Sequence, residues 1–392
     1  MSVKCVFRIS KKFFTFVEWQ EKLILMLRPL LKSICLLSAL SGSISLHAQV
    51  WTDAASLPLY GKATEETVTR YSRLPASLQE VCRKPLWRLG QNSAGEYIRF
   101  RTDSPTIWLR WESQTSKVMN HMSPTGSRGL DLYVHTDGGW RFVRSGRPEL
   151  KAAVTQQKVL SDMTSEMREY MLYLSLYDGV SSLSIGTEEG HPVLAGALPS
   201  PRSGHPVVFY GTSVTQGGCV SRPGMVYTSI LSRELDREFI NLGFSGNALL
   251  DLEIARLMAA VPAPALYVIA CADNATPEQF AERGEAFFRT LREAHPDVPV
   301  VFVQALRYAH TYLDRKAAAR SQGQREACRA LYERLRKAGE KRIFFTDPGA
   351  GKAFSDAEQS VDGSHLTDLG TERFAEEILP VLRKALRVSP SK

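Results

Sequence analysis

The residues of this chain with the types and spacing for nucleophilic chemistry are a serine that ends an apolar run and an aspartate three residues before a histidine near the C-terminus. The serine is Ser213 in "VVFYGTSVTQGG", and the pair is Asp362 and His365 in "SVDGSHLTDLG". A serine hydroxyl is a weak nucleophile until a base takes its proton. A carboxylate on the other ring nitrogen fixes the tautomer of that base and supports the imidazolium that forms. One turn is enough to fold Asp362 back onto His365, with Thr367 or Asp368 then placed to cap the helix that follows. Read singly, each feature has a plainer meaning: Ser213 as a hydroxyl in a tight turn, His365 as a loop histidine beside a capping acid. Asp347, after "RIFFT", is a rival acid with poorer spacing.

Acyl transfer also needs donors for the oxyanion. Gly246 in "NLGFSGNA" can offer a backbone N–H with no Cβ in the way, and Asn274 in "ACADNAT" can offer a side-chain amide. Alone, they read as a turn glycine and a helix cap. Their joint order carries more weight. Ser213, Gly246 and Asn274 each follow an apolar strand pattern, and Asp362–His365 precedes the last helical pattern.

Those patterns define two halves. From Trp51 to about Leu194 the chain has short segments of alternating polarity, among them "EYIRFRT", "TIWLRWES", "GLDLYVHT" and "SSLSIGT". Such spacing predicts an all-β sandwich or jelly roll. Beyond the Gly, Pro and Ser of "GALPSPRSGHP", apolar runs such as "PVVFY" and "ALYVIACA" alternate with helical stretches, which predicts a doubly wound parallel sheet. Ligands of such sheets bind beyond the carboxyl ends of the strands, where all four candidates fall. The expected organisation is a leader over residues 1–48, a β domain over 49–197 and an α/β domain over 198–392.

The leader reading rests on Arg28 and Lys32 followed by an apolar stretch from Ser33 to Leu46 and the small Ala48, the layout of a secretory signal. Two basic clusters and an acidic pair precede Met26, which makes Met26 a second candidate initiator. The apolar run is short for a membrane span, so an exported protein, periplasmic or extracellular, is expected. Residues 1–48 hold seven Lys/Arg and two Asp/Glu, supplying five of the net +8 charges. The remainder shows no basic stripe, which argues against nucleic acid as a partner. Cys82, Cys219, Cys271 and Cys328 lie far apart without a CxxC motif, so no structural zinc site is expected. A disulfide would be permitted in an oxidising compartment without its pairing being specified, and Cys271 in its apolar strand reads as a buried thiol.

The blocks "YGTSVTQGG", "NLGFSGNALL", "CADNAT" and "DGSHLTDLG" resemble those of the SGNH (GDSL-like) hydrolases, and "RGLDLYV" resembles the GxDLY-type β domain that precedes the catalytic one in a two-domain branch. The resemblance spans roughly residues 51–386. It implies Ser213 as nucleophile, His365 as base, Asp362 as its orienter, and Gly246, Asn274 and the Ser213 N–H as oxyanion donors, with no metal or organic cofactor. Two positions depart from the pattern: Thr212 stands where the strict motif has Asp, and the Asn block reads Ala-Asp-Asn-Ala. The α/β-hydrolase elbow fits less well, because Thr215 occupies its last glycine position.

Trp108, Asp131, Tyr133 and Arg222 are further candidates for touching substrate. Strand alternation places Trp108 on the outer face of "TIWLRW", opposite Trp111, where it could stack on a sugar or pack against the catalytic half. Asp131 and Tyr133 fall on the outer face of "GLDLYVH", and Arg222 follows Ser213 closely enough to clamp a carboxylate or a loop. The expected activity is an exported serine esterase that removes O-acetyl groups from a glycan. A short-chain lipase or thioesterase, and a glycan-binding protein with a decayed hydrolase domain, are the alternatives.

Overall fold

A computed structural model describes residues 48–350 and 357–387; the leader read over residues 1–48 lies outside them except for Ala48. The first half contains strands β1 (Gln49–Asp53), β2 (Leu59–Tyr60), β3 (Tyr97–Thr102), β4 (Ile107–Ser113), β5 (Leu130–Thr136), β6 (Gly139–Gly146), β7 (Val154–Leu160), β8 (Arg168–Tyr173), β9 (Val180–Glu188) and β10 (Leu194–Ala195). They form an antiparallel sheet β1-β9-β4-β7 and a second, β10-β3-β8-β5-β6, with β2 on β3. The two inner faces share one core that contains Phe100, Leu109, Trp111, Leu130, Leu132 and Ile185, as period-2 alternation requires. β7 escapes the sequence pattern because "VTQQKVL" buries little more than Thr155 and Val159.

The second half is α/β. Strands β11 (Arg202–Gly211), β12 (Arg237–Gly243), β13 (Leu266–Ala270), β14 (Val300–Val303) and β15 (Ile343–Thr346) form a parallel sheet in the order β12-β11-β13-β14-β15. In β11, Val208 and Tyr210 point into one apolar layer and Val207 and Phe209 into the other. Two short helices of the first half are α1 (Lys84–Gly90) and α2 (Pro124–Arg128). The second half adds α3 (Ser213–Gln216), α4 (Tyr227–Glu234), α5 (Leu252–Ala259), α6 (Pro277–Ala294), α7 (Arg315–Lys337) and α8 (Asp368–Arg387). Helices α5, α6 and α7 cover one face of the sheet, and α4 and α8 the other. None of the helices among the described residues is long and apolar enough to cross a membrane. Thr276 starts α6 with a full capping box to Gln279, and Thr367 accepts the Gly370 N–H at the start of α8.

The halves pack as one unit, and the contact explains an oddity of composition. The outer face of β3-β8-β5 carries Tyr97, Tyr133 and Tyr173 beside Arg99, Asp131 and Glu169, and all six are buried. The Arg233 guanidinium of α4 lies 4.4 Å from the Tyr133 ring centre and 5.5 Å from that of Tyr173, a cation–π contact across the boundary.

A second tie is Arg73, 2% exposed. Its guanidinium donates to the carbonyls of Leu89, Asn92, Asn241 and Gly243 at 2.7–3.0 Å, so one side chain joins the end of α1 to the end of β12. Arg73→Ala would take the guanidinium from these carbonyls, of which that of Leu89 also accepts the Asn92 N–H, and is expected to cost at least about 3 kcal/mol of unfolding free energy. Denaturant unfolding measures it; a change under 1 kcal/mol would show that the carbonyls have other partners.

Candidate active site

The site lies at the carboxyl ends of β11, β12 and β13, three adjacent strands. Ser213 is the first residue of α3, directly after β11, and is 8% exposed. Its Oγ lies 2.9 Å from His365 Nε2, and His365 Nδ1 lies 2.7 Å from Asp362 Oδ2. The other carboxylate oxygen of Asp362 accepts the backbone N–H groups of Ser364 and His365 at 3.0 and 2.8 Å, so the three-residue spacing closes into a single turn. Burial pulls the Asp362 carboxyl upward, but the hydrogen bonds from the His365 ring and backbone, its charge and the Ser364 N–H together outweigh it. The carboxyl is held below its ordinary value and stays ionised, an acceptor for a proton on Nδ1. Gly218 packs closely here: a Cβ there would lie 3.0 Å from the His365 ring and from the Tyr177 hydroxyl.

The three residues expected to supply donors line the same cleft. The Ser213 N–H, at the first position of a helix, has no intrahelical acceptor, and Gly246 adopts φ +66 with open space where its Cβ would be. The Asn274 Oδ1 accepts the Ala248 N–H at 3.3 Å, which turns the Nδ2 donor group of the amide the other way. Ser213, Gly246, Asn274 and His365 line one cleft of ≈ 580 Å³, within the range of small-molecule sites.

The residues that hold this arrangement give no sequence signal. Gln216 accepts the Ser245 N–H at 2.9 Å and donates to Asn92 Oδ1 and the Leu176 carbonyl, locking the serine helix to the Gly246 loop and to the β half. Asn241 donates to the Thr215 carbonyl at 2.6 Å. Asp368 accepts the Ser221 N–H and hydroxyl, tying the loop after α3 to the start of α8. From the β half, the His121 ring sits 5.9 Å from that of His365, and the Tyr177 hydroxyl donates to the Ser213 carbonyl at 3.4 Å.

The remaining candidates lie outside the lining of this cleft. Asp131 is fully buried: it accepts from Arg222 at 2.9 Å, the Gly224 N–H at 2.8 Å and Ser145 at 2.7 Å. Tyr133 is buried too and accepts from Arg222 through its hydroxyl at 2.7 Å. These residues form a clasp on the loop after Ser213, and the Arg222 guanidinium also lies 3.8 Å from the centre of the Phe142 ring. Trp108 is half-buried on the outer face of β4, opposite Gly186 of β9, and that face belongs to the other sheet. Asp347 pairs with Arg325 at 2.6 Å. The four described cysteines are free and buried. His121, Cys219, Asp362 and His365 each offer an atom within 4.8 Å of the others, but burial pushes the Cys219 thiol up to about 12, and Asp362 and the His365 nitrogens are already engaged with one another and with Ser213.

Fold and site define an ester hydrolase of the α/β type with a serine–histidine–aspartate array. The GDSL-like Lipase/Acylhydrolase family model matches residues 204–383, and GxDLY, the N-terminus of Esterase_SGNH_hydro-type proteins, matches residues 49–193. A Bacteroides ovatus protein described as a GDSL-like lipase superposes with a TM-score of 0.82 at 33% identity, over 87% of this chain and 98% of that one. The salicylyl-acyltransferase SsfX3 of a tetracycline biosynthetic pathway gives 0.67 at 19% identity, over 85% of this chain and 97% of that one. A family two carbohydrate esterase from Cellvibrio japonicus gives 0.56 at 13%, over 87% and 99%. No curated protein matches the chain in sequence. The chain belongs to the GDSL-like (SGNH) hydrolase family and is a carboxylic ester hydrolase.

Two expectations follow. Asn274→Ala should lower kcat by about 100-fold with little change in KM, as for loss of one oxyanion donor; steady-state kinetics on 4-nitrophenyl acetate checks it, and an unchanged kcat would remove Asn274 from that role. Asp273, beside it, accepts from the Leu306 N–H at 2.8 Å and the Tyr308 hydroxyl at 3.0 Å. Burial outweighs these bonds and raises its carboxyl from 3.8 to about 6. A raised carboxyl favours the folded state at low pH, and that advantage is lost as pH rises from about 4 to about 6. Unfolding free energy of the wild type should therefore fall relative to Asp273→Asn across this window, by on the order of 2–3 kcal/mol. Parallel pH profiles would contradict the assignment.

Proposed function

We propose that Ser213 is the nucleophile of an exported esterase that removes O-acetyl groups from a glycan. Ser213 Oγ attacks the ester carbonyl as its proton passes to His365 Nε2. The oxyanion is received by the N–H groups of Ser213 and Gly246 and by the Asn274 amide. Collapse expels the alcohol, which takes the proton from His365, and water then hydrolyses the acyl-enzyme by the same relay.

The observation that carries this reading is the continuous chain Ser213–His365–Asp362 at 2.9 and 2.7 Å, open to a cleft. The walls of that cleft set the polar groups of Ser245, Ser321, Gln324 and Ser364 among apolar surface from the Tyr308 ring, Ala317 and neighbouring side-chain stems. The polar groups offer hydrogen bonds to sugar hydroxyls and the apolar surface a face for the ring, which supports a glycan as the alcohol. Carbohydrate esterases among the fold neighbours agree with a glycan as the alcohol. The basic and apolar layout of residues 28–48 supports export.

The test is acetate release by the chain beginning at Gln49, from 4-nitrophenyl acetate and from acetylated polysaccharides, beside Ser213→Ala. At least a 1000-fold loss in the variant, on the scale of triad removal, together with wild-type release from a polysaccharide, supports the reading. Equal activity of the two proteins would remove Ser213 from its role. Turnover of 4-nitrophenyl esters that rises with chain length and leaves glycans untouched would replace the acetyl-glycan assignment with a lipase.

A further inference from the structure

One wall of the cleft carries charge that the mechanism above does not use. Lys316 and Arg320 of α7, one helical turn apart, both line it. Among the described residues neither side chain makes an ion pair or a hydrogen bond to the protein, although fifteen other ion pairs exist there. The acid that lines the same cleft, Asp273, is bonded inward to Leu306 and Tyr308. The guanidinium of Arg320 lies close enough to act on the Tyr308 phenol, whose ring stacks on His310 at 5.6 Å in that wall.

The sequence of α7 makes the placement more pointed. Residues 315–325 hold Arg315, Lys316, Arg320 and Arg325 and no acid. No acid stands in the first turn of the helix, although the macrodipole disfavours cations there. Asp314, the N-cap, is occupied by the N–H groups of Lys316 and Ala317. A second hollow of ≈ 400 Å³ meets the cleft at Ser321 and is lined by Arg307, Arg325, Arg329 and Glu326; Arg325 is paired with Asp347, so Arg307 and Arg329 are the cations that extend the basic wall past the catalytic end.

We propose that Lys316 and Arg320 bind a carboxylate on the alcohol part of the ester, so that the substrate is an acylated acidic glycan of the uronate type. This rests on the reading of the cleft as the ester site. With acetyl as the acyl part, as proposed above, the charge belongs to the larger alcohol part. A guanidinium and an ammonium on one face match a sugar carboxylate, and the basic hollow beyond accommodates the next acidic residues of a polymer.

The experiment compares a matched pair, 4-acetoxybenzoate and neutral 4-acetoxybenzamide, in the wild type and in Lys316→Gln/Arg320→Gln. The expected result is a kcat/KM ratio favouring the carboxylate that falls by about tenfold in the double variant, the scale of two partly exposed charge contacts. The wild-type preference should also shrink as NaCl is raised. An equal fall on both esters, or a ratio that the variant leaves unchanged, overturns the proposal. So does rapid turnover of 4-nitrophenyl hemisuccinate with no preference within the pair, which would put the anion on the acyl side. Acetylated polygalacturonate against acetylated xylan forms the separate glycan arm. Charge preference on the small pair with no release from either polymer would sink the glycan reading and leave the carboxylate subsite standing.

Discussion

The 2.9 Å contact between Ser213 and His365 joins residues 152 positions apart, and most of the described fold can be understood as what makes that contact permanent. Ser213 is fixed by the end of β11, and His365 by the turn before α8. Those two elements meet because α8 packs on the same face of the sheet as α4. The Asp368 contact with Ser221 then closes the loop after the serine onto that helix. An error of 1 Å between β11 and α8 would break that hydrogen bond.

The β half acts on the same contact from the other side. Gln216, Arg73 and the Asp131–Arg222 pair all cross the boundary and end on backbone or loops next to the site. Asp131 shows how such a group is held: burial raises its carboxyl, against the Arg222 charge and three hydrogen bonds that lower it. A buried acid in this setting specifies geometry more than it adds stability. The motif in the β half is therefore a clasp on the loop after the serine.

The features legible in sequence were those with local causes. Alternation placed Trp111, Leu130 and Leu132 in the core, where they are fully buried. The order of Ser213, Gly246, Asn274 and Asp362–His365 pointed to one end of a parallel sheet, and the structure brings them to a single cleft, save that Asp362 stands behind His365. What escaped was non-local. Alternation assigns a residue to a face but does not say what covers it, so Asp131 and Tyr133 read as outer residues although α4 and its preceding loop bury them. Gln216, Asn241 and Arg73 bond to backbone far away in sequence, and no spacing rule reports such partners. Helix α7 begins at Arg315, well before the apolar periodicity that starts near Gln324, because "RKAAARSQG" is rich in alanine and cations rather than large apolar residues. Lys316 and Arg320 were hidden there.

The most direct measurement is covalent trapping with a fluorophosphonate, followed by peptide mass mapping of the labelled chain. A single adduct on Ser213, lost in His365→Ala, is what the relay predicts. An adduct on another residue, or an unlabelled Ser213 in a chain that still hydrolyses esters, would contradict it.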